Sequence, residues 1–427
     1  MQALLSSSAA IGLVVLAPPA SHYSYYDSSR ERIFEFTARF HAAAERAGEQ
    51  LVAVADTGQS RSARDVPFRE MLRLGVPGED LLDFGLDDIW MRDFFVFQLS
   101  NTTVVRFSYA PAYLDATNVG YIDSTARALV REIWDHTATE VRQLSLVLDG
   151  GGLVWEPATR WAVLTERVLR DNPWLVGATS LSAGGVSPGP AALCCPADPY
   201  AGAPALTDAQ LSAGAAALST LLSEVLDGTN VTVAIVPEEP GAPRLGHVDG
   251  IANWLAPRTL ALSRFSDAAT YARYEARLAS AFGAELTIVP FPHAPSAAVW
   301  EDGFESAEGI YVNFARTEHA VYVPVFGLPT DANALETAEA HADRPVVAVN
   351  ASAVAVMGGS VRCLSSQLSG APAQALVARA GRALPPFPPA PPPPTSAAAA
   401  APLRGRGLAG ATSLAVGAGV VLLRWHR

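Results

Sequence analysis

The chain has 427 residues, half of them hydrophobic and 17% charged, with 33 Gly and 32 Pro. This composition excludes a coiled coil, a collagen-like helix and a globally disordered chain. The formal net charge of -12 argues against a nucleic-acid partner, because binding to phosphates needs clustered basic side chains, and it favours a cationic small molecule. The three cysteines, two of them adjacent, cannot form a disulfide framework, so a reducing, cytoplasmic compartment is predicted.

An apolar run near the N-terminus is predicted to be a buried strand. Residues 11–16 are apolar and are followed by Pro18 and Pro19, which end the run. The alternative is a secretory signal peptide, but no Lys or Arg precedes the run. Secretion is therefore the less favoured interpretation.

The next elements complete a strand, helix, strand unit. Ser28 and Glu31 have the spacing of a capping box, Gly48 ends the predicted helix, and residues 51–55 form a second strand. Similar units recur along the chain and predict an α/β architecture built from repeated small units. The later predicted strands are 144–148, 161–165, 231–236, 259–263, 285–289, 310–314, 320–325 and 346–349, and the later predicted helices are 207–226, 267–282 and 331–340.

Composition divides the chain into a globular domain, residues 1–383, and a C-terminal extension. Residues 175–205 are rich in Gly, Pro, Ala and Ser and are predicted to be a loop insertion, and its Cys194 and Cys195 are assigned no chemistry. Residues 384–403 form a Pro/Ala-rich linker. The tail, 404–427, contains an uncharged run at 407–423 that is either a marginal C-terminal membrane anchor or an unstructured extension.

Four short segments combine ionisable side chains with glycine or with an apolar strand. They are the charged and aromatic run 87–93, the sequence Asp149-Gly150-Gly151-Gly152, the sequence Gly246-His247-Val248-Asp249-Gly250, and the glycine-led approach to Cys363 at 357–363. Each alone has an ordinary structural explanation, such as a capped turn, a hydrogen-bonded histidine or a small buried thiol. A zinc site from His247, Asp249 and Cys363 lacks a fourth ligand, so no metal is predicted.

Taken together, these segments resemble the agmatine deiminase and Porphyromonas-type peptidylarginine deiminase family. The resemblance extends from residue 11 to about residue 367, and it rests on the order Trp90-x-Arg92-Asp93, Asp149-Gly150-Gly151, Gly246-His247-x-Asp249, Asn313 before an apolar strand, and Gly358-Gly359-x-x-x-Cys363. It implies the pentein fold, an α/β propeller of five ββαβ units around a pseudo-fivefold axis with a central active site. Residues 1–383 would then be a deiminase catalytic domain.

The resemblance also implies a role for each residue. Cys363 would be the nucleophile and His247 the general acid and base, while Asp93 and Asp249 would hold a planar guanidinium by charge-assisted hydrogen bonds. This chemistry needs no metal or organic cofactor. The further substrate-binding residues that it implies are Trp90, Arg92, Asp149 and Asn313.

The chain also departs from the family pattern. Agmatine deiminases typically have Glu where Asp149 stands and His where Arg362 stands, and their N-terminal Trp-Glu-Pro signature is missing. The peptidylarginine relatives hold a substrate carboxylate with two arginines, whereas the corresponding stretch here, 107–113, has none. Asp115 or Asp149 is instead expected to favour a distal ammonium, although Arg106 could fold back to replace the missing arginines.

These features leave several functions open. The leading prediction is hydrolysis of agmatine to N-carbamoylputrescine and ammonia, a step of putrescine biosynthesis. The second is deimination of arginine in a peptide or protein, which gives citrulline. An amidinotransferase and a non-catalytic pentein that only binds a partner are the remaining alternatives.

Overall fold

The computed structural model describes residues 12–58, 66–177, 200, 203–226, 228–239, 245–301 and 303–381. The described residues fall within one compact unit, Met1–Arg382. Cys194 and Cys195, the linker 384–403 and the tail 404–427 lie outside the described residues, so the predictions made for them stay predictions. Within the described ranges, no helix is both long and apolar enough to cross a membrane.

The strands are short, and most of their residues are buried. They are β1 (Leu13–Leu16), β2 (Gln50–Val54), β3 (Leu81–Leu82), β4 (Phe97–Gln98), β5 (Thr103–Ser108), β6 (Glu140–Val147), β7 (Leu153–Glu156), β8 (Trp161–Thr165), β9 (Thr232–Val236), β10 (Ala252–Ala256), β11 (Thr259–Ser263), β12 (Thr287–Phe291), β13 (Ala315–Arg316), β14 (Val321–Val325), β15 (Val346–Asn350) and β16 (Ser365–Leu368).

The helices alternate with these strands. They are α1 (Arg30–Arg46), α2 (Pro67–Arg73), α3 (Met91–Phe94), α4 (Ala116–Trp134), α5 (Arg167–Asp171), α6 (Asp208–Val225), α7 (Ala268–Phe282), α8 (Asp331–His341), α9 (Ser352–Ala355) and α10 (Gly370–Arg379). Two of the longer helices begin with a side-chain N-cap. Thr207 forms a capping box with Gln210 at the start of α6, and the Asp267 carboxylate accepts from the backbone N–H groups of Ala269 and Thr270 at the start of α7.

One strand pattern is repeated in five sheets. In β4-β5-β6, the first pair is antiparallel and the second pair is parallel, and α4 provides the long crossover that a parallel pair requires. The sheets β7-β8-β9, β10-β11-β12 and β13-β14-β15 repeat this order with α6, α7 and α8 as crossovers. In the fifth sheet, β16 pairs antiparallel with β1, and α1 connects β1 to its parallel neighbour β2. The predicted α/β class is therefore confirmed.

Apolar side chains from neighbouring units share the core. Trp161 on β8 stacks on Phe282 of α7, with ring centroids 4.7 Å apart, and both also contact Trp254 of β10. All four residues of β1 are buried, which is the pattern of a strand covered on both faces. The N-terminal apolar run thus forms a central strand, because β16, from the C-terminal part of the described chain, pairs along its edge.

Two local predictions were wrong. The capping box at Ser28 and Glu31 does not form: Ser29 is the N-cap residue of α1 and makes no side-chain capping bond. Instead, the Arg30 guanidinium donates to backbone carbonyls, including Pro19 and Ala20. The strand predicted at 310–314 is also absent, because this buried segment turns, with only Ile310 in an isolated bridge to His293.

Candidate active site

Five short loops carry the candidate residues, and each loop lies immediately before the first strand of a unit. Asp93 lies in α3, just before β4, and Asp149 precedes the turn Gly150–Gly152 that leads into β7. His247 and Asp249 precede β10. Asn313 precedes β13, and Cys363 precedes β16. The repeated unit therefore supplies its polar side chains from the same position in every case.

The candidate nucleophile, Cys363, is buried and fixed from several directions. Its Sγ accepts a hydrogen bond from Asn313 Nδ2 at 3.1 Å, and its backbone N–H donates to Asn313 Oδ1 at 3.3 Å. The sulfur atom lies 3.8 Å from Asp249 Oδ2, so the thiol can donate a weak hydrogen bond to this carboxylate. Burial, with added contributions from the carboxylates of Asp249 and Asp93, raises the pKa of the thiol well above its ordinary value. The isolated site therefore favours the protonated thiol.

Asn313 holds the loop that carries Cys363. Its Oδ1 accepts from Ser360 Oγ at 2.9 Å and from the backbone N–H of Arg362 at 3.2 Å, in addition to the backbone of Cys363. This explains why residues 310–314 turn rather than continue as a strand: the turn presents the Asn313 amide to the Cys363 loop. The structure thus places Asn313 beside the thiol, where it hydrogen-bonds both the sulfur and the backbone of the candidate nucleophile.

His247 lies between two carboxylates. Its Nε2 is 3.2 Å from Asp149 Oδ2, and its Nδ1 is 4.0 Å from Asp93 Oδ1. Burial lowers the pKa of His247, but Asp93, Asp149 and Asp249 outweigh burial and raise it to about 9. The imidazole is therefore protonated near neutral pH and can donate a proton.

Gly151 makes room for this imidazole. A Cβ atom added at Gly151 would lie 2.3 Å from His247 Nδ1, which is closer than atoms approach without displacement. The backbone N–H of the same glycine donates to Asp93 Oδ1 at 3.1 Å. The glycine run after Asp149 therefore serves the site by allowing close backbone approach.

The neighbouring carboxylates oppose the ionisation of Asp93. Burial raises the pKa of Asp93, His247 lowers it, and Asp149 and Asp249 raise it, and together these effects give a pKa of about 7. Asp149 also accepts a hydrogen bond from the Tyr113 hydroxyl at 2.7 Å. A cation placed between these carboxylates would stabilise their charged forms.

Two buried arginines lie beside the cluster. Arg362 Nη1 donates to Asp249 Oδ2 at 2.7 Å, and Arg362 Nη2 donates to the Leu153 carbonyl at 2.7 Å. Arg92 donates from its side chain to Gln367 and from its backbone to the carbonyl of Cys363. Burial and the neighbouring Arg362 lower the pKa of Arg92 to about 9. The contacts of Arg92 are thus with the segment around Cys363, which fits support of that segment better than the predicted contact with a cationic substrate.

Trp90 packs against the glycine-led approach to the thiol. A Cβ atom at Gly359 would lie 2.4 Å from Trp90 Cζ3, so glycine at this position admits the indole ring. The Trp90 side chain is half-buried. This placement is suited to a wall of the site, because an aromatic face attracts a cation that lies against it.

A pocket opens beside His247 and Asp149. Tyr113, Arg167 and Asp171 also line it. Glu238 already holds Arg167 by two hydrogen bonds, at 2.8 Å from Nε and 2.6 Å from Nη2. Tyr113, Arg167 and Asp171 were not among the predicted site residues, because their segments carry no glycine or histidine motif.

The described ranges contain no group of three or more His, Cys, Asp or Glu side chains placed to hold a metal ion. The geometry joins Cys363 to Asp249 and Asn313, and it joins His247 to Asp93 and Asp149, as neighbouring groups of proton donors and acceptors.

The family model of the Porphyromonas-type peptidyl-arginine deiminases matches residues 215–369. This match confirms the family resemblance. The matched segment contains His247, Asp249, Asn313 and Cys363. No curated protein has a sequence that matches this chain.

Solved structures extend the similarity over most of the chain. An agmatine deiminase of C. jejuni is 14% identical, with a TM-score of 0.58, and the match covers 85% of this chain and 98% of that chain. An agmatine deiminase of Enterococcus faecalis is 19% identical, with a TM-score of 0.56, and the match covers 83% of this chain and 92% of that chain. At these identities, the similarity establishes the fold.

Proposed function

We propose that this protein hydrolyses a guanidine compound to a ureido compound and ammonia, with agmatine as the substrate and N-carbamoylputrescine as the product. The observation that carries the proposal is the single buried cluster that holds a thiol, an imidazolium and three carboxylates. Deimination requires a nucleophile, an acid and base, and anionic acceptors around a planar cation. The family match and the shared fold support the same class of reaction.

The arrangement of the sheets supports a pentein α/β propeller. Each of the five loops occupies the same place in its ββαβ unit, yet their side chains lie close enough to interact: Asp93 and Asp249 act on both Cys363 and His247, and Asn313 contacts Cys363. An arrangement of the five units around a common axis explains this convergence. The active site would then lie on that axis.

Substrate binding would begin with the guanidinium. Asp93 and Asp249 would accept its in-plane N–H groups, and Trp90 would cover one face. Because nearby carboxylates raise the pKa of the Cys363 thiol, a bound cation that offsets their charge would favour the thiolate. The substrate would thereby help to activate its own nucleophile.

The chemistry would proceed in two stages. The Cys363 thiolate would attack the guanidinium carbon, and protonated His247 would give its proton to the leaving nitrogen as the C–N bond breaks and ammonia departs. This leaves a covalent S-alkylthiouronium on Cys363 and a neutral imidazole. The imidazole would then take a proton from water, whose oxygen attacks the same carbon. As the C–S bond of the resulting tetrahedral intermediate breaks, its hydroxyl group would lose its proton to solvent. This releases the neutral ureido product and regenerates the thiolate, with His247 again protonated.

The pocket beside the cluster favours an amine at the far end of the substrate. Two carboxylates, Asp149 and Asp171, line the pocket, and the charge of Arg167 is already balanced by Glu238. Burial raises the pKa of Asp171 to about 7, so a nearby ammonium would stabilise its charged form. An added carboxylate would meet like charge there, which is why agmatine fits better than a peptide ending in arginine.

Two residues considered from the sequence lie elsewhere. Arg106 pairs with Asp123, so it does not replace the missing arginines of the peptidylarginine relatives. The Asp115 side chain caps α4 by accepting from the backbone of Thr117 and Asn118, so it is not placed to hold a substrate ammonium. Of the two acidic residues expected to favour an ammonium, only Asp149 lines the pocket.

The experiment is to measure ammonia and ureido product after incubation with agmatine, free arginine or an arginine-terminated peptide. Hydrolysis of agmatine with equal yields of ammonia and ureido product is expected. Transfer of the amidino group to an added amine without release of ammonia would identify an amidinotransferase instead. No reaction with any of the three substrates would reject the proposal.

A further inference from the structure

The cluster contains a guanidinium that belongs to the protein itself. Arg362 directly precedes Cys363, and its side chain is 7% exposed. It donates to Asp249 Oδ2 at 2.7 Å, to the Leu153 carbonyl at 2.7 Å and to the Gly150 carbonyl at 3.4 Å. These acceptors lie on two of the loops that build the site, so Arg362 bridges both loops to the segment that carries the thiol.

The same carboxylate oxygen faces both Arg362 and the nucleophile. Asp249 Oδ2 lies 2.7 Å from Arg362 Nη1 and 3.8 Å from Cys363 Sγ. A negative charge at that distance opposes formation of a thiolate, and the guanidinium on the other side of the oxygen weakens this effect. The remaining groups that act on Cys363 are Asp93 and Arg92 from α3, the Asn313 amide and a backbone hydrogen bond with Ser360.

We infer that Arg362 is a positioning residue that fixes the Asp249 carboxylate and offsets its negative charge beside Cys363. Within the described part of the chain, no side chain donates to Asp249 Oδ1, so this oxygen is left for an N–H group of the substrate. The inference rests on the proposed function, because it assigns Arg362 a part in activating the nucleophile of that reaction.

Alkylation of Cys363 tests the charge offset without any substrate. The rate of reaction with iodoacetamide follows the thiolate fraction, and a shift of one pKa unit changes that fraction about tenfold. The rate would be measured between pH 6 and 10 by mass spectrometry of the peptide that contains Cys363, in the full chain. The variants are Arg362→Met, Asp249→Asn, the double variant and Arg362→Lys.

Charge offset predicts a definite order of rates at a fixed pH below the thiol pKa. Asp249→Asn should react about tenfold faster than the wild type, since it removes the carboxylate and keeps the cation. Arg362→Met should react about tenfold more slowly. The double variant, which removes both charges, should return to within about threefold of the wild type, and Arg362→Lys should fall between Arg362→Met and the wild type.

The matched control is Arg264→Met, which removes an exposed arginine and should leave the rate within about twofold. If Arg362→Met fails to fold, the comparison of Asp249→Asn with the double variant replaces it, and the former must react about tenfold faster. A folded Arg362→Met with an unchanged rate, or a double variant as slow as Arg362→Met, would overturn the inference. If the alkylation rates followed the expected order but the protein deiminated no guanidine compound, the proposed function would be rejected and the inferred effect of Arg362 on Cys363 would be retained.

Discussion

Two regions of this molecule, one partly exposed and one buried, bring carboxylates to a guanidinium, and they do so differently. Between β7 and β13, Arg316 donates to Glu156 and, at 2.8 and 3.2 Å, to both oxygens of Asp343. In the central cluster, Arg362 donates to one oxygen of Asp249, while Asp93 and Asp149 face His247. The outer ion pair joins Arg316 to Glu156 and to both oxygens of Asp343, which Arg344 also approaches at 3.7 Å. At the centre, by contrast, no side chain among the described residues donates to Asp249 Oδ1.

The pKa values of Arg316 in the outer region and of Asp93 and Cys363 at the centre differ in the same way. The two acidic partners of Arg316 raise the pKa of its guanidinium further, because they outweigh the effect of burial. At the centre, burial and neighbouring carboxylates raise the pKa of Asp93 to about 7, and similar causes raise that of the Cys363 thiol. Loss of one partner of the outer ion pair would therefore leave the remaining charge poorly compensated, whereas at the centre a bound cation would favour the ionised forms of Asp93 and Cys363.

The largest expected effect is at the thiol. Cys363→Ala should lower the turnover of agmatine by about a thousandfold or more, because the carbon of the guanidinium would have no nucleophile. Binding of agmatine should stay measurable by calorimetry, since Asp93 and Asp249 are unchanged. In the wild type, a haloacetamidine should add to Cys363 and be seen by mass spectrometry. Turnover retained in Cys363→Ala would contradict the mechanism.

A pair of substitutions should separate the central cluster from the outer ion pair. Asp93→Asn should lower kcat/KM by about a hundredfold or more, because a guanidinium would lose a charged acceptor. It should not lower the melting temperature at pH 8. The folded pKa of Asp93 lies above its unfolded value, so the ionised side chain itself reduces stability at that pH.

Glu156→Gln is the matched change in the outer pair, where the side chain is 1% exposed. It should reduce the free energy of unfolding by about 1–3 kcal/mol, because a charge-assisted hydrogen bond to Arg316 is weakened. Activity per folded molecule should stay within about twofold. Denaturant unfolding and steady-state kinetics on both variants check the pair. If Asp93→Asn lost stability and Glu156→Gln lost activity, the two regions could not be separated into one that serves catalysis and one that serves stability.

The sequence predicts the central residues better than the outer ones, for a physical reason. His247 and Asp249 lie two residues apart beside glycines, so a short motif reveals them. Glu156 and Arg316 are 160 positions apart, and only the pairing of the folded units brings them together. The role of Arg362 likewise depends on where Asp249 lies in space.

The secondary structure also shows what the sequence alone can and cannot predict. Strands such as β8 and β11 were predicted with the bounds that the structure has, because their apolar runs end at clear turns. The run at 310–314 is equally apolar and buried, yet it turns in order to present Asn313 to Cys363. Hydrophobicity shows that a segment is buried, but it does not show which backbone conformation a neighbouring loop requires.

The pH dependence of kcat/KM should report the central cluster alone. Asp93 must be ionised to hold a guanidinium, so activity should fall about tenfold per pH unit below its pKa of about 7. His247 must be protonated to release ammonia, so above about pH 9 its deprotonation should offset the gain in activity that ionisation of the Cys363 thiol brings, and the profile should level off. The Glu156→Gln variant should keep the same profile. If the residual activity of Asp93→Asn still fell below about pH 7 as in the wild type, that fall would have to be assigned to a group other than Asp93.

A smaller effect is expected at the pocket beside the cluster. We expect kcat/KM for agmatine to exceed that for an arginine-terminated peptide by at least about tenfold, or roughly 1.4 kcal/mol in transition-state stabilisation. Asp149 and Asp171 line this pocket, so it should favour an ammonium and repel a carboxylate. Asp171→Asn should reduce the ratio of kcat/KM for agmatine to kcat/KM for the peptide. It should leave the rate with methylguanidine, which has no distal group, within about twofold of the wild-type rate. An equal loss for all three substrates would show that Asp171 supports the fold rather than selecting the substrate.

The smallest effect is expected for the cysteines outside the cluster. Cys194 and Cys195 lie in a segment rich in Gly, Pro, Ala and Ser, and neighbours in sequence seldom form a disulfide with each other. The chemistry proposed here uses one thiol, that of Cys363. Replacement of both by Ser should therefore change kcat/KM by less than about twofold, as expected for substitutions that cost under about 0.5 kcal/mol. The same variant removes the two competing thiols from the alkylation experiment, so a changed rate at Cys363 would reveal coupling between the insertion and the centre.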